Sequence, residues 1–173
     1  MTEGTQGPGC IFCRAFDPAQ QEHRLVVHRA EHSFVILNLY PYSSGHVMVA
    51  PLRHIRRLAE ASDSELAEMM RLARSLEGVL TRLYSPHAFN VGMNLGSVAG
   101  AGVEEHMHLH VVPRWSGDTN FMTITGETRV VPEDPFEAAG RIRGAFGETA
   151  PAQEENQALS TAEDSTEAEP SSS

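Results

Sequence analysis

His106-Met-His-Leu-His-Val-Val112 is the most informative segment of this 173-residue chain. Its histidines alternate with apolar residues, which is the period of a β-strand whose successive side chains point to opposite faces. We therefore expect all three imidazoles on one face, with Met107, Leu109 and Val111 on the other, toward a core. Imidazole binds metals, moves protons and acts as a nucleophile near neutral pH. A metal cluster and a nucleophilic histidine both remain open at this point.

A glycine-rich connection, Gly96-Ser-Val-Ala-Gly-Ala-Gly102, lies just before the histidines. Backbone amides without bulky side chains can converge on an anion, although an ordinary hairpin loop has the same composition. Beside three histidines, the connection favours phosphate chemistry.

Periodicity and turn residues predict the elements on either side. The predicted strands, besides 106–112, span 24–28, 33–39, 46–50 and 88–94. Ser62-Asp-Ser-Glu65 has the pattern of a capping box and predicts a long helix that ends before Pro86. Its apolar stripe is assigned to the core and consists of Leu66, Met69, Met70, Ala73, Leu76, Leu80 and Leu83. With a short final helix over 134–146, the predicted fold class is α+β, with about five antiparallel strands.

Composition and charge limit the function classes and divide the chain. Hydrophobic residues make up 40% and charged residues 21%, as in a folded soluble domain, and no apolar run is long enough for a membrane span. The net charge of −10 argues against nucleic-acid binding, and the absence of a secretory signal predicts a cytoplasmic protein. We expect a flexible N-terminus over 1–9, one domain over 10–149, and a disordered acidic tail over 150–173.

The order of motifs along the chain resembles the histidine triad family. The matching residues are Cys10 and Cys13, Asn38, Gly45-His46, Pro51-Leu-Arg-His54, Asn94-Leu-Gly96 and the three histidines. Within the family, the segments around these motifs are most similar to diadenosine tetraphosphate phosphorylases and hydrolases, with Fhit-like dinucleoside polyphosphate hydrolases close by. The resemblance implies a histidine triad fold and a homodimer.

The resemblance also implies a reaction. His108 would be the nucleophile and would form a nucleotidyl-imidazole intermediate, with His110 and His46 beside the phosphate. The substrate would be an adenine nucleotide or dinucleoside polyphosphate, and water or inorganic phosphate would accept the nucleotidyl group. A nucleoside phosphoramidase, or a non-catalytic nucleotide-binding module stabilised by zinc, remains an alternative.

The substrate contacts implied by the resemblance come from both sides of the triad. Asn38 would hold the ribose, and Phe34, Ile36 and Leu39 would line the base pocket. Asn94 would donate to the phosphate, and Trp115 would stack on a base or lie at an interface. The polar residue that many members carry shortly before the triad is replaced here by Gly102 and Val103. Backbone amides from Gly96 onward, or the hydroxyl of Ser97, would then stabilise the leaving group.

A CxxC pair near the N-terminus predicts a metal or redox site in preference to a disulfide. In zinc-bearing members of the family, this pair is joined by two histidines, which correspond here to His54 and His106. The resemblance therefore implies a structural zinc held by Cys10, Cys13, His54 and His106. A redox pair and unligated cysteines remain open.

Overall fold

A computed structural model of the chain describes residues 9–118 and 133–147. The acidic tail predicted over 150–173, and all of the predicted N-terminal segment except Gly9, lie outside the described residues. No helix in the described part of the chain combines the length and the apolar character that crossing a membrane requires.

Five antiparallel strands of the described residues form one sheet, which confirms the predicted α+β class. The strands are β1 (Val26–Arg29), β2 (Ser33–Leu37), β3 (Val47–Pro51), β4 (Ala88–Gly92) and β5 (Leu109–Arg114). Their order across the sheet is β1-β2-β3-β5-β4. The two most buried strands, β2 and β3, are hydrophobic along most of their length, because both of their faces are covered.

Three α-helices accompany the sheet within 9–118 and 133–147: α1 (Ile11–Arg14), α2 (Asp63–Tyr84) and α3 (Pro135–Gly147). Short 3₁₀ turns span Gln21–Leu25, Leu58–Glu60 and Ser97–Ala99. The predicted capping box is present at the start of α2, where the Ser62 hydroxyl accepts from the Glu65 amide and the Glu65 carboxylate accepts from the Ser62 amide. The helix ends at Ser85, which adopts a left-handed conformation.

The buried face of α2 differs from the predicted stripe at Met70. This side chain is 57% exposed, whereas Met69, Leu72, Leu76 and Val79 are buried. Consecutive residues of a helix are about 100° apart, so Met70 lies outside the face that Met69 shares with Leu72 and Leu76. The prediction that Met70 belongs to the core is wrong.

The histidine segment enters the sheet later than predicted, because β5 begins at Leu109 and not at His106. The ladder between β3 and β5 ends at the pair Val49–Leu109. Beyond it, β3 ends at Pro51, which has no N–H to donate. The amide of Met107 instead donates to the carbonyl of Ile55, at 2.7 Å. His106 and His108 therefore lie on an irregular segment that packs against the loop after β3.

Candidate functional site

His46, His108 and His110, the three histidines predicted to be catalytic, lie together where β3 and β5 meet. His46 precedes β3, and its Nε2 lies 3.0 Å from Nδ1 of His110. The rings of His108 and His110 are 4.8 Å apart between centroids. Gly45 fixes the position of His46: its φ is +72°, and a Cβ there would lie 2.9 Å from the Tyr84 ring.

A backbone carbonyl determines which nitrogen of His108 carries the proton. Nδ1 of His108 lies 2.9 Å from the carbonyl oxygen of His106. A carbonyl oxygen only accepts, so Nδ1 carries the hydrogen and the lone pair of the neutral ring lies on Nε2. His108 therefore offers Nε2 as an unprotonated nitrogen.

The tautomers of His46 and His110 follow from a chain of donors. The backbone N–H of Tyr42 donates to Nδ1 of His46 at 3.2 Å, and the side-chain amide of Asn38 approaches the same nitrogen at 3.3 Å. Because Nδ1 accepts, the hydrogen of neutral His46 is on Nε2 and is donated to Nδ1 of His110. The hydrogen of His110 is then on its own Nε2, so His110 is a donor at that nitrogen.

Burial keeps these imidazoles neutral. Desolvation, with smaller contributions from His110 and His108, lowers the pKa of His46 to about 3. Desolvation and the neighbouring His108 lower the pKa of His110 to about 4. The pKa of His108 is also lowered by burial, against the opposing effect of its hydrogen bond to the His106 carbonyl. All three rings are thus uncharged at pH 7, as a nitrogen nucleophile requires.

A groove of about 440 Å³ opens beside His110, and its lining includes Tyr42, Asn94 and Arg114. The Tyr42 ring stacks on His46, with centroids 4.8 Å apart and planes 25° apart. Arg114 pairs with Asp118 through two nitrogens and also donates to Asn90. The groove is the concave surface next to the histidines and has the size of a small-molecule site.

The residues predicted to contact a nucleoside lie in different surroundings. Phe34 and Ile36 are 0% and 2% exposed in the core, and the Phe34 ring contacts that of Phe16 at 4.8 Å. Of the three predicted base contacts, only Leu39 is partly exposed. The Asn38 amide faces His46, and its carbonyl oxygen accepts from the Tyr40 amide at 3.0 Å.

The glycine-rich connection 96–102 does not line the groove beside His110, whereas Asn94, two residues before it, does. Gly96 and Ser97 line a separate cavity that also contains two arginines. Gly102 is exposed, whereas Val103 packs against the core.

Trp115 follows the last residue of β5 and is partly buried. Its backbone amide donates to Asp118 at 3.2 Å. Its side chain is not among those that line the groove.

The four predicted metal ligands converge beside the histidines that are predicted to be catalytic. The Sγ atoms of Cys10 and Cys13 lie 3.4 and 3.7 Å from Nδ1 of His106, and Cys13 Sγ lies 3.4 Å from Nδ1 of His54. All four ligand atoms are within 4.8 Å of one another. Tetrahedral zinc with ordinary bond lengths separates sulfur and nitrogen ligands by about 3.6 Å. The donor set and spacing therefore fit a structural zinc.

The second nitrogen of His106 supports the same interpretation. Its Nε2 lies 2.9 Å from the Pro51 carbonyl, so Nε2 carries the hydrogen and Nδ1 is free to bind a metal. The Phe12 ring lies between the two clusters, 5.2 Å from the His106 ring and 4.9 Å from the His108 ring.

Two contributors to the site were not found from the sequence. Tyr42 acts through a backbone N–H that any residue except proline could supply, so only its position four residues before His46 signals it. Phe12 lies between the two cysteines of the CxxC pair, and its apolar character was the available signal for a buried position.

Comparisons with known proteins agree with this geometry. Residues 15–117 match the model of the HIT domain. The AP-4-A phosphorylase of Mycobacterium tuberculosis (strain ATCC 25618 / H37Rv) is 47% identical over 112 residues, which cover 65% of this chain and 57% of that protein. The asymmetrical bis(5'-nucleosyl)-tetraphosphatase of Schizosaccharomyces pombe is 36% identical over 93 residues, which cover 54% of this chain and 50% of that protein. The chain thus spans about half the length of these relatives.

A solved structure extends the similarity. The crystal structure of a zinc-bound histidine triad family protein from Mycobacterium smegmatis has a TM-score of 0.68 and 25% identity, covering 84% of this chain and 98% of that one. Since the matched domain extends over more than half of the residues and contains all three clustered imidazoles, the chain belongs to the HIT domain family.

Proposed function

We propose that this chain is a nucleotidyl transferase that cleaves dinucleoside polyphosphates through a covalent intermediate on His108. The observation that carries the proposal is the contact of His108 Nδ1 with the His106 carbonyl, which leaves a neutral Nε2 available for attack. The names of the Mycobacterium tuberculosis and Schizosaccharomyces pombe relatives support a dinucleoside tetraphosphate as the substrate.

In the first step, Nε2 of His108 attacks the α-phosphorus of the substrate. A phosphorus–nitrogen bond forms, the bond from the α-phosphorus to the bridging oxygen breaks, and its electron pair leaves with that oxygen. Diadenosine tetraphosphate would release ATP and leave AMP on the ring. The ring becomes positively charged, and the hydrogen bond from Nδ1 to the His106 carbonyl stabilises that charge.

His110 supplies a donor to the reacting phosphate. Its Nε2–H can donate to a phosphoryl oxygen, because Nδ1 is occupied as the acceptor from His46. A pKa of about 4 makes it a hydrogen-bond donor that stays uncharged at neutral pH. His46 is a positioning residue, because its Nε2–H donates to Nδ1 of His110 and so fixes this tautomer.

In the second step, an acceptor attacks the same phosphorus and the phosphorus–nitrogen bond breaks. Water would release AMP, and inorganic phosphate would release ADP. Phosphorolysis is the favoured assignment, because the relative that covers more of this chain is named a phosphorylase.

We assign the polyphosphate to the groove beside His110, with Asn94 and Arg114 along its wall. Leu39 remains the proposed base contact, because its side chain is partly exposed. The ribose contact of Asn38, the stacking role of Trp115 and the phosphate contacts of the loop stay predictions.

We also propose a structural zinc at Cys10, Cys13, His54 and His106. Such a site would link the segment of α1 to the irregular segment that carries His108, and so hold the His106 carbonyl in place. The thiol and imidazole donor set and its spacing support this assignment, as does the zinc in the Mycobacterium smegmatis relative.

A homodimer is proposed as the assembly. The strand β4 pairs with β5 on one side and lies at the edge of the sheet among the described residues. Its Val91 is 50% exposed. An unpaired strand edge with exposed apolar side chains suits association with a second copy.

Product analysis tests the proposed reaction. The chain is incubated with diadenosine tetraphosphate, with and without inorganic phosphate. ADP and ATP that form only with phosphate identify phosphorolysis, and AMP and ATP without phosphate identify hydrolysis. His108→Ala should abolish both reactions, whereas His23→Ala, at an exposed histidine outside the site, should leave them unchanged. Full turnover by His108→Ala, or no cleavage under either condition, would overturn the proposal.

A further inference from the structure

A second cavity, of about 550 Å³, lies at the β1 edge of the sheet, beside the 3₁₀ turn Gln21–Leu25 and α3. The charged and titratable side chains that line it are all basic and come from His23, Arg24, His28, Arg29 and Arg143. We call it the basic cavity. It is separate from the groove beside His110, because β1 and β2 lie beyond β3 in the order of strands.

Two arginines of the basic cavity are positioned by aromatic rings. The guanidinium of Arg24 lies 4.2 Å from the centroid of the Phe136 ring, and that of Arg29 lies 4.7 Å from the centroid of Phe16. These contacts restrict both side chains without neutralising their charges. The conformational entropy that binding would otherwise cost is therefore already partly lost.

Arg143 reaches the cavity from α3 and is fixed by the backbone. It donates to the carbonyls of Arg24 and Val26, each at 3.0 Å or less. These carbonyls belong to the chain that enters β1, so α3 and β1 are joined at this point. Three ordered guanidinium groups consequently line one cavity.

None of these three arginines has a carboxylate partner within 9–118 and 133–147. Elsewhere in the same ranges, five arginines form ion pairs: Arg14, Arg53, Arg56, Arg114 and Arg141. Like charges held close together repel each other, and an anion relieves that repulsion. The cavity thus has the composition of an anion site.

The chain carries a matching anion directly after α3. Residues 148–173 contain seven acidic residues and no basic residue: Glu148, Glu154, Glu155, Glu163, Asp164, Glu167 and Glu169. They continue from Gly147, which follows Arg143 by about one helical turn, or roughly 6 Å. A tether of this length gives the carboxylates a high effective concentration at the cavity.

We propose that the basic cavity binds the carboxylate-rich segment 148–173 of the same chain. Guanidinium groups form charge-assisted hydrogen bonds with carboxylates, frequently through two nitrogens. Such ion pairs at a surface weaken as salt rises, so the segment is bound at low ionic strength and released at high ionic strength. Composition excludes a core within 148–173 but does not oppose ionic binding to an existing cavity.

Backbone amide NMR of the full chain tests the proposal. Wild type is compared with a variant in which the seven acidic residues are replaced by Gln or Asn. At low salt, we expect the amide signals of Arg24, His28, Arg29 and Arg143 to differ between the two chains. At about 0.5 M NaCl, where the screening length is only a few ångströms, the difference should disappear.

A reciprocal pair of variants identifies the arginines involved. Arg24→Gln with Arg29→Gln should move the signals of residues 154–169 at low salt. Arg71→Gln with Arg74→Gln, on the exposed face of α2, should not move them. The salt series on wild type needs no variant and gives the same answer if a variant fails to fold.

Three results would overturn the proposal. The first is identical cavity signals in wild type and the acid-free variant at low salt. The second is a difference that grows with protein concentration, which means binding between two chains. The third is equal binding of inorganic phosphate or a short RNA at the cavity in both chains, which means that the acidic segment does not occupy it.

Discussion

His106 and His108 lie two residues apart on one segment, yet they present opposite nitrogens. His106 donates from Nε2 to the Pro51 carbonyl and offers Nδ1 to the cysteine cluster. His108 donates from Nδ1 to the His106 carbonyl and leaves Nε2 for a substrate. Both rings are buried and face Phe12, so neither residue type nor burial distinguishes them.

The difference between the two histidines lies in the backbone. A carbonyl that accepts from one ring nitrogen fixes the tautomer and so selects the other nitrogen for metal binding or nucleophilic attack. The proposed metal cluster and the proposed catalytic cluster are therefore linked, because His106, which would bind zinc, also supplies the carbonyl that orients the proposed nucleophile, His108.

The largest effect is expected on turnover when the proposed nucleophile, His108, is replaced. His108→Ala removes the nitrogen that we propose attacks phosphorus and should lower turnover by about 10⁴-fold or more. Metal content should stay near one zinc per chain, because the four proposed ligands are unchanged. Steady-state rates and elemental analysis check both parts. Turnover within tenfold of wild type would contradict the assignment of His108.

Removing a ligand of the proposed metal cluster should lower both the stability and the zinc content of the protein. Cys10→Ala removes one of the four ligands, so zinc should fall well below one per chain. We expect a loss of about 2–4 kcal/mol in unfolding free energy, or roughly 10 °C in thermal midpoint. Unchanged zinc and an unchanged midpoint would show that the cluster binds no metal. Ser75→Ala, in the middle of α2, provides a control for a single side-chain truncation.

A smaller effect is expected from changing Asn38, whose side-chain amide donates to His46. Asn38→Asp replaces an amide that donates to Nδ1 of His46 with a carboxylate that only accepts, and so draws the proton onto Nδ1. Nε2 of His46 then no longer donates to Nδ1 of His110, so the tautomer of His110 is no longer fixed. The kcat should fall by about tenfold to a hundredfold. Nitrogen-15 shifts of His46 and His110 should change with it.

Asn90→Asp is the matched control, because it makes the same substitution at a side chain that lines the groove beside His110 and donates nothing to His46. It should leave the nitrogen-15 shifts of His46 unchanged. Equal rates and equal histidine shifts in the two variants would exclude a role of Asn38 in fixing the tautomer.

The last prediction concerns the pH dependence of stability. The folded-state pKa of His46 is about 3, below its unfolded value near 6.5, so folding favours the neutral ring. Stability is therefore fully present above about pH 6.5 and decreases as pH falls toward the folded pKa, by up to about 1.4 kcal/mol per unit. His46→Gln cannot titrate and should show a shallower slope between pH 6.5 and 4.

Chemical unfolding of wild type and His46→Gln between pH 6.5 and 4 checks the prediction. Any acid sensitivity of a bound metal is the same in both proteins, so it cancels when their slopes are compared. The hydrogen bond with Arg53 lowers the pKa of Glu65 to about 2, from an ordinary value near 4.5. Titration of Glu65 therefore changes the stability only below about pH 4.5. Parallel slopes for wild type and His46→Gln would show that His46 does not titrate between the two states.

Several parts of the fold and site were predictable because local chemistry specifies them. Ser62 and Glu65 form the capping box that their spacing predicted, and apolar runs bounded by turn residues predicted the antiparallel sheet. The metal and catalytic residue sets followed from the motifs that resemble the family. The structure brings the members of each set within contact distance.

The remaining features depend on contacts that no residue pattern encodes. The start of β5 at Leu109 depends on where β3 ends, and the burial of Phe34 depends on Phe12 and Phe16 packing against it. The tautomers depend on the positions of backbone groups of His106 and Tyr42. Every non-proline residue carries such groups, so a sequence does not reveal which of them meets a histidine.

Trapping the intermediate tests most directly whether Nε2 of His108 carries the nucleotide. A single-turnover reaction with diadenosine tetraphosphate labelled at the α-phosphorus is quenched in base, where phosphorus–nitrogen bonds persist, and the protein is digested for mass spectrometry and NMR. We expect one labelled peptide, with AMP bonded to Nε2 of His108. Label on Nδ1, on His46 or on His110, or no labelled protein at any time during turnover, would contradict it.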